Sequence, residues 1–207
     1  QPPHVGGLGF DFKWNMGWMH DVLSYFQTRP ENRSEVHNNL TFGATYQFSE
    51  NFVQAFSHDE VVHGKGSLVN KMGLEDEADR IANLRALLAL QWTWPGKKTL
   101  FMGCEFGQWK EWNCDAPLDW SLLNFPLHQG LRKLVADLNH LYLSHSTWSK
   151  VDHQSDKFRW VDCNDSASQT VSFLKFGQHS QDTLLVACNF SNQVVHRDWG
   201  CPHRGKW

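Results

Sequence analysis

The residues best suited to chemistry follow a short apolar stretch in the first third of the chain. Residues 51–57 predict a short buried strand, and His58, Asp59 and Glu60 come directly after it. In a barrel of parallel strands, functional side chains project from the carboxyl ends of the strands. An imidazole beside a carboxylate there can bind sugar hydroxyls and stabilise positive charge on a sugar ring. The alternative is that Asp59 or Glu60 caps the next segment, and position alone favours neither interpretation.

A second cluster follows the next predicted strand, residues 99–102. Glu105 lies at the end of that strand between glycines, which is a suitable position for a site carboxylate. Trp109 and Trp112 lie in the following loop and Trp120 comes just after it, where flat indole faces would stack on sugar rings. The alternative is that the loop folds over its own indoles as a small core. We prefer that alternative for Trp120 and leave both open for the other two.

His58 and His63 lack the spacing of a metal-binding pair. They are five residues apart, whereas the zinc motif H-E-x-x-H places its histidines four residues apart on one helix face. Side chains at i and i+5 of a helix diverge by roughly 140°, so both rings would face one ion only on an irregular backbone. The spacing therefore predicts no metal here.

The elements that would position these residues alternate between strand and helix. In chain order the patterns predict a strand at 10–15, a helix at 19–26, an ambiguous segment at 40–48, the strand at 51–57, a helix at 78–94, the strand at 99–102 and a helix at 128–143. Such alternation is typical of βαβ units around a parallel sheet or barrel.

The pattern changes near Ser149. Strand-like runs separated by turn residues then follow at 158–163, 170–176, 183–190 and 194–199. Short strands spaced this closely predict an antiparallel β-domain, with a boundary at about 146–152. The predicted fold class is thus α/β over residues 1–148, followed by an all-β domain over 149–207.

Composition limits the classes of partner. The 207 residues are 41% hydrophobic and 20% charged, with a net charge of -3, so neither nucleic acid nor an anionic membrane is expected as a partner. No apolar run approaches the ~20 residues of a membrane span. Five cysteines, an odd number without C-x-x-C spacing, indicate reduced thiols in a cytoplasm. Eleven tryptophans either fill a core or bind carbohydrate. The chain lacks an initiator Met, and we expect its ends at Gln1 and Trp207 to be cuts.

An ordered series of motifs resembles the bacterial glycogen branching enzymes of the α-amylase superfamily. It covers most of the chain up to the β-domain, and its motifs are GGLGFDFKWNMGWMHD at 6–21, LTFG at 40–43, ENFV at 50–53, SHDEVVHGK at 57–65, NLR at 83–85, PGKK at 95–98, LFMG at 100–103, EF at 105–106, EWN at 111–113 and LDW at 118–120. The sequence departs from the family at Cys104, where Asn or Gly is usual, and over residues 197–203. A lone His-Asp pair would be weak support, whereas the ordered series is highly specific.

The resemblance implies the last three β/α units of a (β/α)8 barrel, followed by a truncated antiparallel sandwich domain. It implies a retaining transglycosylase that cleaves an α-1,4 bond of a linear glucan and transfers the segment to a 6-hydroxyl, forming an α-1,6 branch. Glycogen and amylose would be the substrates, and no metal or organic cofactor would take part. The parent enzyme would be a cytoplasmic monomer.

The resemblance also assigns roles. Of the family's three catalytic acids, only Asp59 has a counterpart here, as transition-state stabiliser, and His58 would bind the same sugar. Glu105, Trp109 and Trp112 are weaker candidates for substrate binding. The nucleophilic Asp and the acid/base Glu have no counterpart, since Glu60 and Glu105 match neither motif, so we expect the chain alone to be inactive.

Two other interpretations remain beside a cut enzyme. The chain is alternatively a carbohydrate-binding remnant that keeps its Trp surfaces without catalysis. A related maltosyltransferase or trehalohydrolase is a minor option, against which residues 6–21 argue. For a cut enzyme, three β/α units cannot close a barrel of eight. We therefore expect an open sheet that exposes strands such as Phe52–Phe56, and a chain that aggregates when made alone.

Overall fold

The computed structural model describes residues 3–179 and 182–202, so that the expected cuts at Gln1 and Trp207 lie outside the described residues. The strands are β1 (Lys13–Trp14), β2 (Phe52–Phe56), β3 (Lys97–Leu100), β4 (Phe158–Asp162), β5 (Thr170–Phe176) and β6 (Thr183–Asn189). The helices are α1 (Met16–Gln27), α2 (Asn38–Thr41), α3 (Glu77–Thr93), α4 (Pro126–Ser144) and α5 (Ser146–Ser149).

The first three strands form a parallel sheet in the order β1-β2-β3. Lys13 pairs with Phe52 on one side of β2, and Lys97 pairs with Val53 on the other. The central strand is therefore paired on both sides, and Phe56 is fully buried. The expectation that Phe52–Phe56 forms an exposed outer strand is wrong, because β1 and β3 are the edges of this sheet.

The two edge strands differ in extent from their predictions. The strand predicted at 10–15 is reduced to Lys13–Trp14, and Phe10 is 80% exposed. The strand predicted at 99–102 begins two residues earlier, because parallel pairing of Lys97 with Val53 recruits the residues just after Gly96. The sequence patterns predict that both strands exist, and the pairing with β2 determines where they begin and end.

Side-chain caps start the two long helices beside this sheet. Asn15 Oδ1 accepts a hydrogen bond from Trp18 N at 3.0 Å at the start of α1. Asp76 Oδ1 accepts one from Ala78 N at 2.8 Å at the start of α3, and α3 ends at Thr93 just before Pro95. The helices predicted at 19–26, 78–94 and 128–143 are confirmed as α1, α3 and α4.

Buried amide groups hold α3 and the 40–48 segment against β2. Gln54 is fully buried, and its Nε2 donates to Gln47 Oε1 at 2.8 Å and to the Pro95 carbonyl at 2.9 Å. Gln91 Nε2 donates to the Gln54 carbonyl at 2.9 Å and to the Thr99 carbonyl at 3.0 Å. The ambiguous segment is helical over 38–45, where α2 is followed by a 3-10 turn.

The second sheet is antiparallel, in the order β4-β5-β6. Arg159 pairs with Leu174, and Thr170 pairs with Asn189, as the predicted runs at 158–163, 170–176 and 183–190 require. The fourth predicted run is wrong: residues 194–199 form no strand, and Val194 is 85% exposed. Val195 and Trp199 are half-buried, but the segment has no pairing strand in the described part of the chain, so its apolar residues do not make it part of the sheet.

A buried aromatic cluster joins the two sheets. Trp94 is fully buried, and its ring centroid lies 5.7 Å from Trp160, 5.9 Å from Phe158 and 5.9 Å from Phe173. Trp18, Trp92 and Trp148 are also buried. Part of the tryptophan content therefore fills the core, as the plainer of the two interpretations requires.

Candidate functional site

The carboxyl end of β2 turns at once into a 3-10 turn, His58–Glu60. Glu60 Oε2 accepts hydrogen bonds from Ser57 N at 2.5 Å and from Ser57 Oγ at 2.9 Å, while Asp59 N donates to Ser57 Oγ at 3.1 Å. Ser57 and Glu60 thus form a capping box, and Glu60 is buried. Of the two acids that the sequence offered as caps, Glu60 is used and the Asp59 carboxylate is left for another role.

His58 and Asp59 face solvent side by side. Their side chains are 48% and 52% exposed, and His58 Nε2 lies 3.3 Å from Asp59 Oδ1. The pair offers carboxylate acceptors and an imidazole that can donate or accept, which suits a polyhydroxylated ligand. The structure therefore places both predicted residues where a ligand can reach them.

Two aromatic rings hold the His58 imidazole. Its centroid lies 5.9 Å from the Phe101 ring and 6.2 Å from the Trp112 ring, and those two rings meet edge-on at 5.2 Å. Phe101 N donates to the Phe56 carbonyl at 2.9 Å, so the residue after β3 is fixed beside the end of β2. The predicted site residue Trp112 is thereby brought into contact with His58.

A carboxylate that the sequence analysis did not select links the two loops of the site. Glu111 Oε1 accepts from Gly66 N at 2.5 Å and Glu111 Oε2 accepts from Gly64 N at 3.0 Å. These two amide donors lower the pKa of the Glu111 carboxyl below its usual value. The neighbouring Trp112 N donates to the Val61 carbonyl at 2.8 Å. The sequence signals for Glu111 are its position beside Trp112 and the EWN motif at 111–113, and neither shows its partner amides, which lie some 45 residues away.

A cavity of about 580 Å³ lies between these loops. Its lining includes Val62, His63, Gln108, Lys110, Glu111, Trp112 and Asn113. His58 and Asp59 do not line it, so the cavity adjoins the exposed pair through Trp112.

The remaining candidates lie apart from this pair. The Trp109 carbonyl accepts from Asn70 Nδ2 at 3.0 Å, and the Arg80 guanidinium lies 5.8 Å from the Trp109 ring centroid. Glu105 lines a separate hollow of about 530 Å³ with residues that include Lys98. Trp109 and Glu105 thus have structural neighbours of their own, and no contact with His58 or Asp59 is seen within residues 3–179 and 182–202.

The preference for Trp120 as part of a small core in its own loop is wrong. Its side chain is 57% exposed and rests on Phe106, with ring centroids 5.4 Å apart. Trp109 and Trp112 are half-buried and pack against the main core. Trp120 is therefore the most exposed of the three indoles, and the two for which both interpretations were open are half-buried.

Within the described ranges, no three His, Cys, Asp or Glu side chains come together closely enough to hold a metal ion. No helix in the same part of the chain is both long and apolar enough to cross a membrane. All five cysteines are free, and burial raises the pKa of the Cys104 thiol to about 12.

Curated relatives match the chain from end to end. The chain is 51% identical over 205 residues to a protein of Synechococcus elongatus named 1,4-alpha-glucan branching enzyme GlgB, covering 99% of the chain and 26% of that protein. Proteins of the same name are 50% identical in Pseudomonas putida, of which 28% is covered, and 49% identical in Aquifex aeolicus, of which 33% is covered. The chain thus spans about a quarter to a third of the length of these relatives.

Solved structures and one family extend the comparison. An α-amylase from H. orenii superposes with a TM-score of 0.54 at 14% identity, covering 89% of the chain and 40% of that protein. AmyP in complex with maltose superposes with a TM-score of 0.58 at 16% identity, covering 86% of the chain and 39% of that protein. At these identities the likeness concerns the fold alone. Residues 160–207 match the family described as alpha amylase, C-terminal all-beta domain.

Proposed function

We propose that this chain, which is a relative of the bacterial 1,4-α-glucan branching enzymes along its whole length, works as part of such an enzyme. That enzyme cleaves an α-1,4 bond of a linear glucan and transfers the released segment to a 6-hydroxyl, forming an α-1,6 branch. The observation that carries the proposal is the exposed His58–Asp59 pair at the carboxyl end of a buried parallel strand. It lies inside a chain about half identical to named branching enzymes.

Asp59 and His58 take separate roles in this proposal. The Asp59 carboxylate accepts hydrogen bonds from ring hydroxyls of the sugar at the cleavage point and stabilises its oxocarbenium-like state. The His58 imidazole, fixed between Phe101 and Trp112, binds the same sugar. Trp112 has a half-buried indole beside them, while Trp109 and Glu105 are weaker substrate contacts because their neighbours lie elsewhere.

The fold is proposed to continue beyond what the chain contains. Three parallel strands in sequential order, each followed by helical segments, fit consecutive units of a (β/α)8 barrel formed by residues 1–148. Residues 149–207 form part of an antiparallel sandwich domain, which the match at 160–207 supports. The complete enzyme is proposed to be a cytoplasmic monomer acting on glycogen and amylose without metal or organic cofactor.

The chain alone is proposed to be inactive. Retaining chemistry needs a nucleophile and an acid/base group about 5–5.5 Å apart. Glu60, the carboxylate nearest to Asp59 in sequence, is buried and occupied as a cap, so it is not free to act as either. A carbohydrate-binding remnant remains the second candidate, favoured by the half-buried indole of Trp112 beside the exposed pair.

The test compares the complete gene product with the 207-residue chain. Each is incubated with amylose, and new α-1,6 linkages are followed by proton NMR against a protein-free control. We expect branching from the complete product and none from the chain alone. Glucan binding without branching by the complete product would favour the remnant, and absence of both would contradict the proposal.

A further inference from the structure

We propose that Glu111 is a positioning residue of the candidate site, acting on the substrate through His58. The inference rests on the proposed function and adds a residue to it. Glu111 joins the loop that follows His58 and Asp59, residues 61–66, to the loop that carries Trp112, residues 103–119. The two loops follow β2 and β3, and the Glu111 carboxylate makes two of the hydrogen bonds between them.

The link has three hydrogen bonds within two consecutive residues. The Glu111 carboxylate takes one backbone amide on each oxygen, from Gly66 at 2.5 Å and from Gly64 at 3.0 Å. Trp112 N adds a third bond to the Val61 carbonyl at 2.8 Å. Two charge-assisted bonds to one carboxylate fix direction as well as distance, as bidentate recognition generally does.

The backbone of the 61–66 loop is shaped for this acceptor. Gly64 has φ +79° and Gly66 has φ +74°, in the left-handed region that residues with a Cβ rarely adopt. With both glycines in that conformation, their amides point to the same carboxylate. The loop is thus specialised to donate to Glu111, which a general surface contact would not require.

Two contacts connect the Glu111 link to His58. Val61, bonded to Trp112, donates its own amide to the His58 carbonyl at 2.9 Å. The Trp112 ring meets the His58 ring at 6.2 Å and the Phe101 ring at 5.2 Å. If Glu111 loses its bonds to Gly64 and Gly66, the Trp112 ring is held less firmly against the His58 imidazole. The Phe101 ring on the other side keeps its place, because Phe101 N still donates to the Phe56 carbonyl of β2.

The experiment uses the complete gene product with Glu111→Gln, which keeps size and removes the charge. We expect kcat for branching to fall roughly 10- to 100-fold, since displacement of a positioned group by about 1 Å costs on that order. Glu75→Gln, which removes a carboxylate from the exposed ion pair with Arg29, is the matched control and should leave kcat unchanged. Circular dichroism establishes that each variant is folded.

A double-mutant cycle separates positioning from a general structural role. If Glu111 acts through His58, the double variant Glu111→Gln/His58→Ala should have a kcat less than about threefold below that of His58→Ala alone. Fully multiplicative losses of kcat, or wild-type kcat in folded Glu111→Gln, would overturn the proposal.

Glu111→Asp is the second variant, because its shorter side chain keeps the charge but cannot reach both amides, and it should also lower kcat.

Limited trypsin digestion measures how firmly the 61–66 loop is held, independently of activity. Cleavage after Lys65, mapped by mass spectrometry, should be several-fold faster in Glu111→Gln than in wild type or Glu75→Gln. If the complete wild-type product shows no branching, the proposed function fails while this digestion still decides whether Glu111 holds the loop. Equal cleavage in all three proteins would overturn the link itself.

Discussion

The Arg33 guanidinium donates a hydrogen bond to the Phe190 carbonyl at 2.8 Å, although the two residues are 157 positions apart. Arg33 is only 2% exposed, and it also donates to the Thr28 carbonyl at 3.0 Å and to Asn83 Oδ1 at 3.1 Å. Burial lowers the pKa of Arg33 from its usual value. A single side chain thus ties the residue after β6 to the end of α1 and to α3.

Arg33→Met should destabilise the protein strongly. The buried acceptors that lose a donor cost about 1–3 kcal/mol each, so we expect a loss on the order of 3 kcal/mol. Arg29→Met is the matched control, because Arg29 pairs with Glu75 on the surface and such pairs are worth about 0–1 kcal/mol. Urea unfolding of the complete protein, followed by tryptophan fluorescence, measures both. Equal midpoints for the two variants would contradict the role of Arg33.

Sequence patterns predicted the elements of this fold where local signals and burial agree. Helix α3 has an acidic start, an apolar stripe and Pro95–Gly96 after it, and it lies within a residue of its prediction at each end. Strand β5 lies at the predicted residues because both its faces are buried. The run 194–199 contains three apolar residues, but it pairs with no neighbouring strand in the described part of the chain and Val194 is 85% exposed, so apolar content without a pairing partner does not make a strand.

The site was predictable only where a residue's position along the chain determines its place in space. His58 and Asp59 follow a recognisable strand, so their exposure at its carboxyl end could be anticipated. Glu111 and Arg33 could not be found in this way, because their partners are 45 and 157 residues distant. The choice between Asp59 and Glu60 as the cap also depended on rotamers, which periodicity does not encode.

Asp59→Asn in the complete protein should lower the rate of branching by ~10³-fold or more. A contact made chiefly in the transition state is worth ~3–4 kcal/mol, and the amide keeps the shape while removing the charge. Asp137→Asn is the matched control, since Asp137 forms an exposed ion pair with Lys133 on α4. Turnover of amylose, measured by NMR of new α-1,6 linkages, should be unchanged in the control. Near-normal turnover of Asp59→Asn would refute the assignment.

His153 should make the protein less stable in mild acid. Both of its ring nitrogens are buried without a hydrogen-bond partner in the described part of the chain. Burial first, and then the nearby positive charge of Lys97, lowers its pKa below 6.5, against the opposing effect of Asp152. Because the unfolded state then binds the proton more readily, stability is full above about pH 6.5 and falls as the pH drops below it.

The measurement is the urea midpoint of the complete protein between about pH 5 and pH 8, spanning the ordinary histidine pKa. His153→Gln should flatten the acid side of that profile relative to wild type. His140→Gln, which alters an exposed histidine on α4, should leave the profile as it is. Identical profiles for wild type and His153→Gln would show that this group does not carry the pH dependence.

The chain made alone should aggregate or remain loosely packed. Within residues 3–179 and 182–202, its parallel sheet ends in the edges β1 and β3, which have no further strand beside them, and apolar side chains near them face solvent, with Phe10 80% and Met102 52% exposed. Such edges are templates for pairing between molecules. At ~25 cal/mol per Å², leaving a few hundred Å² of apolar surface uncovered removes several kcal/mol. That loss is comparable with the ~5–15 kcal/mol stability of a whole domain.

Size-exclusion chromatography and denaturant melts of the isolated chain test this, with the complete gene product as the matched control. We expect the chain to elute as large or heterogeneous species and to melt without a sharp transition, and the complete product to elute as one species. Adding the rest of the protein in trans should improve recovery if it covers the edges β1 and β3. A soluble monomer of the isolated chain with one cooperative transition would show that these edges do not need a partner, and that the core around Trp94 is sufficient on its own.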